Sequence, residues 1–173
     1  MRVTLLKYPT EEDWIGCKQR ALVTVGLNAK TPPDGKWKCD MLRARHSPIR
    51  YLQFSFLLED IPSYVSVHLV RHIHAQPYVK SQRNDRQSDY DRNKAPQDAP
   101  VNMIWDMGAE ELMTIMNKRL CGTADKTTQQ VAKMMRDEVL KVCPEFKEFL
   151  VPMCVYLGGE CREIFPCGGT RNG

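Results

Sequence analysis

Two successive helical patterns in the second half of the chain constrain its fold more than any other feature of the sequence. Over residues 108–121 apolar side chains recur three and four positions apart, and they do so again over residues 126–142, after the helix-capping residue Asp125. The two faces comprise Leu112, Ile115, Met116, Arg119 and Leu120 in the first pattern and Val131, Met134, Met135, Val139 and Val142 in the second. The chain is therefore predicted to contain a pair of helices joined near Gly122.

The first half of the chain mixes strand and helix patterns. Residues 2–8 alternate in polarity and predict a short strand, which is followed by a helix that starts after Thr10 and ends before Gly26. Residues 51–58 alternate again and predict a half-buried strand. After Pro62 the spacing of the valines fits a helix and a strand equally well, so periodicity alone decides neither.

Two polar stretches separate these patterns. Residues 27–48 contain three prolines and predict a long surface connection of a length that is often functional. Residues 75–100 mix charges of both signs and, on composition alone, are typical of a solvated or disordered loop. The charged residues of this second stretch include Lys80, Arg83, Asp85, Arg86, Asp89, Asp91, Arg92 and Lys94.

Composition limits the class of protein. A chain of 173 residues that is 42% hydrophobic is predicted to form one domain over residues 1–173, with a cysteine-rich tail at 143–169. It has no apolar run long enough to span a bilayer and no signal-peptide pattern, and its seven cysteines are an odd number, so we expect a cytoplasmic protein. The net charge of +4 is too small for a typical reader of duplex DNA and suits a small anionic ligand.

One segment groups residue types that bind anions. It runs from residue 71 to residue 83 and reads RHIHAQPYVKSQR. The guanidinium groups of Arg71 and Arg83 are suited to bidentate, charge-assisted bonds to phosphate, and the hydroxyl of Ser81 adds a neutral donor. The segment resembles the signature of flavin-dependent thymidylate synthases, in which Arg-His-Arg precedes a serine by seven residues and a second arginine follows. Flanking features extend the resemblance over about residues 40–145.

The resemblance implies a fold and an assembly. It implies an α/β (α+β) fold in which an antiparallel or mixed sheet packs against helices. It also implies a homotetramer whose active sites are built from several subunits. The expected reaction is the transfer of a one-carbon unit from methylene-tetrahydrofolate to C5 of dUMP, with FAD as the cofactor and NADPH as the source of electrons.

The resemblance also implies roles for single residues. Arg119 corresponds to the family arginine that approaches the uracil ring, and it is expected to be the catalytic residue. Ser81, Gln82 and Arg83 are expected to hold the phosphate side of dUMP. The expected flavin contacts are Arg71 and His72 from the motif, together with Thr114 and Thr123, which stand where the family has an asparagine and a histidine.

Several positions depart from the family pattern. Ile73 replaces the third motif residue, an arginine, and Tyr78 and Val79 replace an Asn-Glu pair. Arg50 and Tyr51 stand where a Glu-His pair precedes the strand in the family. Because these changes remove polar contacts near the flavin and the base, a related reaction is an alternative, such as hydroxymethylation at C5 of a uridine nucleotide.

Two groups of residues raise the question of a metal. His68, His72 and His74 lie close together, but no carboxylate at ligand spacing completes a site, so a core or phosphate-facing histidine is favoured. The tail contains four cysteines, the number that a structural zinc site requires, and Cys121 is a substitute ligand. Because no two of them form a CxxC pair, zinc, reduced thiols, a disulfide and iron–sulfur ligation all remain open. These tail cysteines are Cys143, Cys154, Cys161 and Cys167.

A protein of another class also fits part of the pattern. A non-catalytic, zinc-stapled binder of nucleotides or single-stranded nucleic acid requires aromatic side chains interleaved with basic ones. The chain offers Tyr78, Lys80, Arg83, Arg86 and Tyr90. The aspartates in the same stretch offset this positive charge and count against such a binder.

Overall fold

An antiparallel sheet forms the centre of the fold. The computed structural model describes residues 1–29, 31–83, 85, 91 and 93–168. Within them the strands are β1 (Arg2–Lys7), β2 (Gln53–Pro62), β3 (Gln76–Val79) and β4 (Pro100–Gly108), in the order β1-β2-β4-β3. Every neighbouring pair is antiparallel. The predicted α+β class is confirmed, and the sheet is antiparallel rather than mixed.

The helices begin at capping residues that the sequence already shows. Thr10 and Asp13 form a reciprocal capping box at the start of α1, and the Asp125 carboxylate accepts a bond from the Thr128 N–H at the start of α5. The two helices predicted at 108–121 and 126–142 are confirmed as α4 and α5. The bounds are α1 (Glu11–Val23), α2 (Gly35–Arg43), α3 (Ser63–Leu69), α4 (Ala109–Arg119), α5 (Lys126–Val142) and α6 (Met153–Tyr156), with 3-10 turns at Ser47–Tyr51 and Pro144–Phe146. In the described part of the chain, no helix is both long and apolar enough to cross a bilayer.

The core lies between one face of the sheet and the helices. Alternate side chains of β2 and β4 are buried on this face, and α5 packs against β1 behind them. The Phe54 ring meets the Phe146 ring edge-on at 5.3 Å, and Trp14 of α1 packs against the same phenylalanine at 6.3 Å. The tail residues that follow α5 therefore help to close the core.

The connection expected over residues 27–48 is wrong in part, because it contains helix α2. The Asp34 side chain accepts a hydrogen bond from the Trp37 N–H at 2.7 Å and caps this helix. Met41 and Leu42 are buried on its inner face. The prolines before and after the helix concealed a short amphipathic segment.

The loop expected over residues 75–100 is also wrong in part. Residues 76–79 form β3, which pairs with β4 so that Tyr78 lies opposite Ile104. Sequence analysis did not predict β4, although Val101, Met103, Trp105 and Met107 alternate with more exposed residues. The undecided segment after Pro62 is helix α3. Arg86, Asp89, Tyr90 and Arg92 lie outside the described residues.

Candidate functional site

Two clefts formed by described residues lie near the turn that follows α3. The smaller cleft, of about 290 Å³, is lined by Ser63, Tyr64, Val67, His68, Arg71 and Gln97. The larger cleft, of about 510 Å³, is lined by side chains that include Asp106, Glu110, Glu111 and Thr114. Among the predicted site residues, Arg71 lines the smaller cleft and Thr114 lines the larger one, and the others line neither.

Arg119 is held in place at the last turn of α4. Its Nε donates to Nε2 of His72 at 3.0 Å, and its Nη2 donates to the backbone carbonyl of His68 at 2.6 Å. The structure thus brings together two residues that the sequence predicted separately, 47 positions apart. Because these contacts use two of the five N–H bonds of a guanidinium, Arg119 keeps donors for a ligand.

His72 is a neutral acceptor in this arrangement. A guanidinium only donates, so Nε2 of His72 must carry its lone pair toward Arg119. Burial, together with the smaller effect of the Arg119 charge, lowers the pKa of His72 to about 4. On its other side, Nδ1 of His72 faces Oε1 of Glu111 at 3.5 Å, where both side chains are about nine-tenths buried. His72 therefore supports Arg119 without adding a second positive charge.

Arg71 lies exposed at the rim of the smaller cleft. Burial lowers the pKa of Arg119, and the nearby charge of Arg71 lowers it further. Among the described residues, no carboxylate pairs with either guanidinium. Two cations that repel each other beside an open cleft form a site suited to an anion.

The predicted phosphate-binding residues lie close to this cleft. Nε2 of Gln82 donates to the hydroxyl of Ser63, which lines the cleft, at 3.1 Å. Ser81 precedes it, and its hydroxyl accepts from the Arg83 N–H at 3.3 Å. The Arg83 guanidinium forms a two-point ion pair with Asp85, at 2.9 and 2.6 Å. Asp85 therefore occupies the Nε–Nη2 edge of Arg83, and a phosphate would have to displace it to bind that edge at two points.

Thr114 and Thr123 do not meet the other predicted flavin contacts. Thr114 lines the larger cleft, where its hydroxyl accepts from Arg45 at 3.1 Å and donates to the Glu110 carbonyl at 3.0 Å. Thr123 is exposed beyond the end of α4 and lies 3.2 Å from the Cys121 thiol. Within one chain, the four predicted contacts are therefore spread over two clefts and a helix end.

The four cysteines proposed as zinc ligands are not brought together. Cys143 is buried at the end of α5, and burial raises the pKa of its thiol to about 12. Cys161 and Cys167 are exposed farther along the tail, and Cys154 is half-buried on α6. Across the described ranges, no three His, Cys, Asp or Glu side chains are grouped to hold a metal ion. His68 is engaged as well, since its Nδ1 lies 3.0 Å from the Thr128 hydroxyl.

Two residues of this region were missed by sequence analysis. Glu111 contacts His72, but a glutamate in the first turn of a helix is common because it favours the helix dipole, so its position alone signals nothing. Arg45 has a positive φ of 47° and spreads its guanidinium over Thr114, Asn117 and Tyr156. Only the fold reveals this contact, because 69 positions separate Arg45 from Thr114.

The buried histidine predicts a pH dependence of stability. The pKa of His72 falls from 6.5 to about 4 on folding, so below pH 6.5 the unfolded chain takes up a proton that the folded chain does not. We expect the free energy of unfolding to fall as the pH drops from 6.5 toward 4, and this contribution to level off below that. The measurement is urea unfolding across this range for the wild type and for His72→Gln, which cannot titrate. A difference between the two proteins that is constant with pH would contradict the prediction.

A family model and solved structures relate this chain to known proteins. Residues 87–145 match the family model of the thymidylate synthase complementing protein. The fold is similar to that of the flavin-dependent thymidylate synthase ThyX from Helicobacter pylori complexed with FAD and dUMP, with a TM-score of 0.68 and 16% identity over 87% of this chain and 98% of that one. A second structure of the Helicobacter pylori enzyme with FAD and dUMP gives the same TM-score and identity over 90% and 99% of the two chains. No curated protein matches the chain. The resemblance predicted from the sequence is confirmed.

Proposed function

We propose that this chain, which has the fold of flavin-dependent thymidylate synthases, is an enzyme that uses FAD to transfer a one-carbon unit to C5 of dUMP. The family match over residues 87–145 and the shared fold support the class of enzyme. The observation that carries the proposal is the pair formed by Arg71 and Arg119. The two neighbouring guanidinium groups are free of described carboxylates, and Arg71 lines the smaller cleft together with Ser63, the partner of Gln82. An anionic nucleotide bound there would offset the repulsion between the two cations.

Arg119 is proposed to act on the uracil ring. A fixed cation near N1 and O2 stabilises the negative charge that develops there as C5 becomes nucleophilic. The bonds to His72 and to the His68 carbonyl hold the guanidinium in place before the substrate arrives, so little reorganisation is required. Activation of C5 in this way requires no covalent cysteine.

The residues present fit a flavin with a diphosphate. Arg71 offers an exposed guanidinium at the cleft, and guanidinium groups bind phosphate oxygens at two points. Arg71 would hold the phosphate side of FAD, and Thr114 and Thr123 remain proposed contacts that a neighbouring subunit would complete. When bound, FAD supplies the redox chemistry, with methylene-tetrahydrofolate as the proposed one-carbon donor and NADPH as the electron source.

A homotetramer in the cytoplasm is proposed as the working form. One face of the sheet is open, and Leu57, Ile104 and Tyr78 form a row across β2, β4 and β3 on that face. Ile104 and Tyr78 are 38% and 62% exposed. Ile73 of the motif is exposed as well, at 80%. Apolar side chains left exposed on a sheet face and beside a site support contact with further copies of the chain.

The visible absorption spectrum tests the proposal first. The purified protein is mixed with FAD, the excess is removed, and the spectrum is recorded. Retained flavin bands are expected, and a colourless protein would overturn the proposed cofactor. Incubation with dUMP and the co-substrates, followed by mass spectrometry, then identifies the product and separates methylation from hydroxymethylation.

Arg71→Ala is expected to weaken FAD binding. Loss of charge-assisted hydrogen bonds to phosphate should raise the Kd about 10- to 100-fold. Equilibrium dialysis of the variant against FAD measures this change. The matched control is Arg2→Ala, because Arg2 is an exposed arginine that lines neither cleft. An Arg71→Ala variant with the affinity of the control would show that this arginine does not contact the cofactor.

A further inference from the structure

Glu111 and Arg119 stand at opposite ends of one helix and meet the same histidine. They lie in the first and last turns of α4, about 12 Å apart along the axis at 1.5 Å per residue. His72, in the turn after α3, spans the distance, with Nδ1 toward Glu111 and Nε2 toward Arg119. The three side chains therefore form a chain of contacts that joins the turn after α3 to helix α4.

The hydrogen atoms of this chain have one consistent arrangement. The Arg119 Nε–H donates to His72 Nε2, so the single N–H of the neutral imidazole is on Nδ1. That N–H faces Glu111 Oε1 at 3.5 Å, a contact between a donor and an acceptor that is longer than an ordinary N–H···O hydrogen bond. Each ring nitrogen thus has one partner, which determines the orientation of the ring as well as its tautomer.

Because Glu111 and His72 are buried, water cannot readily replace Glu111 as the acceptor for His72 Nδ1–H. The side chains of His72 and Glu111 are 10% and 11% exposed, so water has little access to Nδ1. A buried N–H without an acceptor destabilises the orientation that leaves it unpaired. Its neighbour Glu110 differs, because its carboxylate pairs with Arg50 at the surface. A helix-dipole role accounts for both glutamates equally, but only Glu111 faces the histidine.

We infer that Glu111 is a positioning residue, which fixes His72 and through it the guanidinium of Arg119. The inference rests on the proposed function only for the task of Arg119 at the substrate. The contacts on which the inference depends are all made within this one chain. Glu111 acts at a distance from the reacting atoms, by keeping the Nε2 lone pair aimed at the Arg119 Nε–H.

The test measures the exchange of the Arg119 Nε–H with water by NMR, on the full chain without ligands. The resonance is assigned by its loss in Arg119→Lys. Glu111→Met keeps the length of the side chain and removes the carboxyl oxygens, and it should accelerate exchange about ten-fold, the factor that one hydrogen bond of ordinary net strength supplies. Glu111→Gln restores an acceptor oxygen and should restore most of the protection. Glu110→Gln, the adjacent carboxylate, should leave the exchange rate at the wild-type value.

A His72→Phe background shows whether the effect passes through the histidine. There Glu111→Met should add no further acceleration. Wild-type exchange in Glu111→Met, or an equal acceleration in the absence of His72, would overturn the inference. Because no ligand is present, a protein that refuses FAD but shows the ten-fold change retains this inference and loses the proposed function. A protein that turns over dUMP but lacks the ten-fold change in exchange retains the proposed function and loses this inference.

Discussion

Arg119→Ala should lower kcat/KM for dUMP about 10²- to 10³-fold, the usual effect of removing one preorganised donor that faces developing charge. The physical reason is that the Arg119 guanidinium is a cation held in a fixed position at the end of α4. It contacts both the His72 side chain and the His68 backbone carbonyl. Turnover of the purified variant under saturating FAD is the measurement. The variant should still retain flavin, since Arg71, the proposed contact to the phosphate side of FAD, remains at the smaller cleft.

The control for this substitution is Lys118→Ala. Lys118 is the adjacent cation on the same helix, but it is half exposed and points toward Glu163 at 3.6 Å. Its loss should leave kcat/KM close to the wild-type value. If Arg119→Ala and Lys118→Ala were equally active, Arg119 would have no role in the reaction and the proposed mechanism would fail.

Phe54→Ala should have the largest effect on stability, a loss of about 3–5 kcal/mol in the free energy of unfolding. Phe54 is 1% exposed, meets Phe146 edge-on at 5.3 Å and lies beside Phe56 at 6.4 Å. Removing its ring leaves a cavity where the central strand meets the tail. Urea unfolding at one fixed protein concentration measures the change, because the proposed assembly would make stability depend on concentration.

Ser55→Ala on the same strand is the matched control. Its side chain points to the open face of the sheet, so the substitution should change the free energy of unfolding by less than about 0.5 kcal/mol. A loss for Phe54→Ala below about 1 kcal/mol would mean that the tail does not close the core at Phe146.

Local patterns predicted the elements whose signals are complete within a few residues. Helices α1 and α5 begin at the residues that their capping side chains indicate, because a cap is a contact between positions three apart. The spacing of residue types from Arg71 to Arg83 indicated the resemblance, and a separate stretch, residues 87–145, matches the family model. Strand β4 was missed although its alternation was visible, and α2 was concealed by the prolines around it.

The candidate site was predictable as a set of residues but not as an arrangement. Sequence reasoning named both His72 and Arg119, but it did not predict the hydrogen bond between them. The contact joins the turn after α3 to the end of α4, and no local pattern encodes a contact between positions 47 apart. The ion pair of Arg83 with Asp85 is local, but its geometry depends on side-chain conformations that a residue pattern does not specify.

By itself, the sequence determined the helix pair, the N-terminal strand and helix, the spacing of residue types that carries the resemblance, and the balance of charge that suits an anionic ligand. These depend on the order and spacing of neighbouring residues, which the chain carries in any conformation. Only the tertiary structure decided that Glu111, His72 and Arg119 form one chain of contacts, that Thr114 faces another cleft, and that the tail cysteines stay apart. Such contacts arise when elements distant in sequence pack together, and that packing is a property of the whole core.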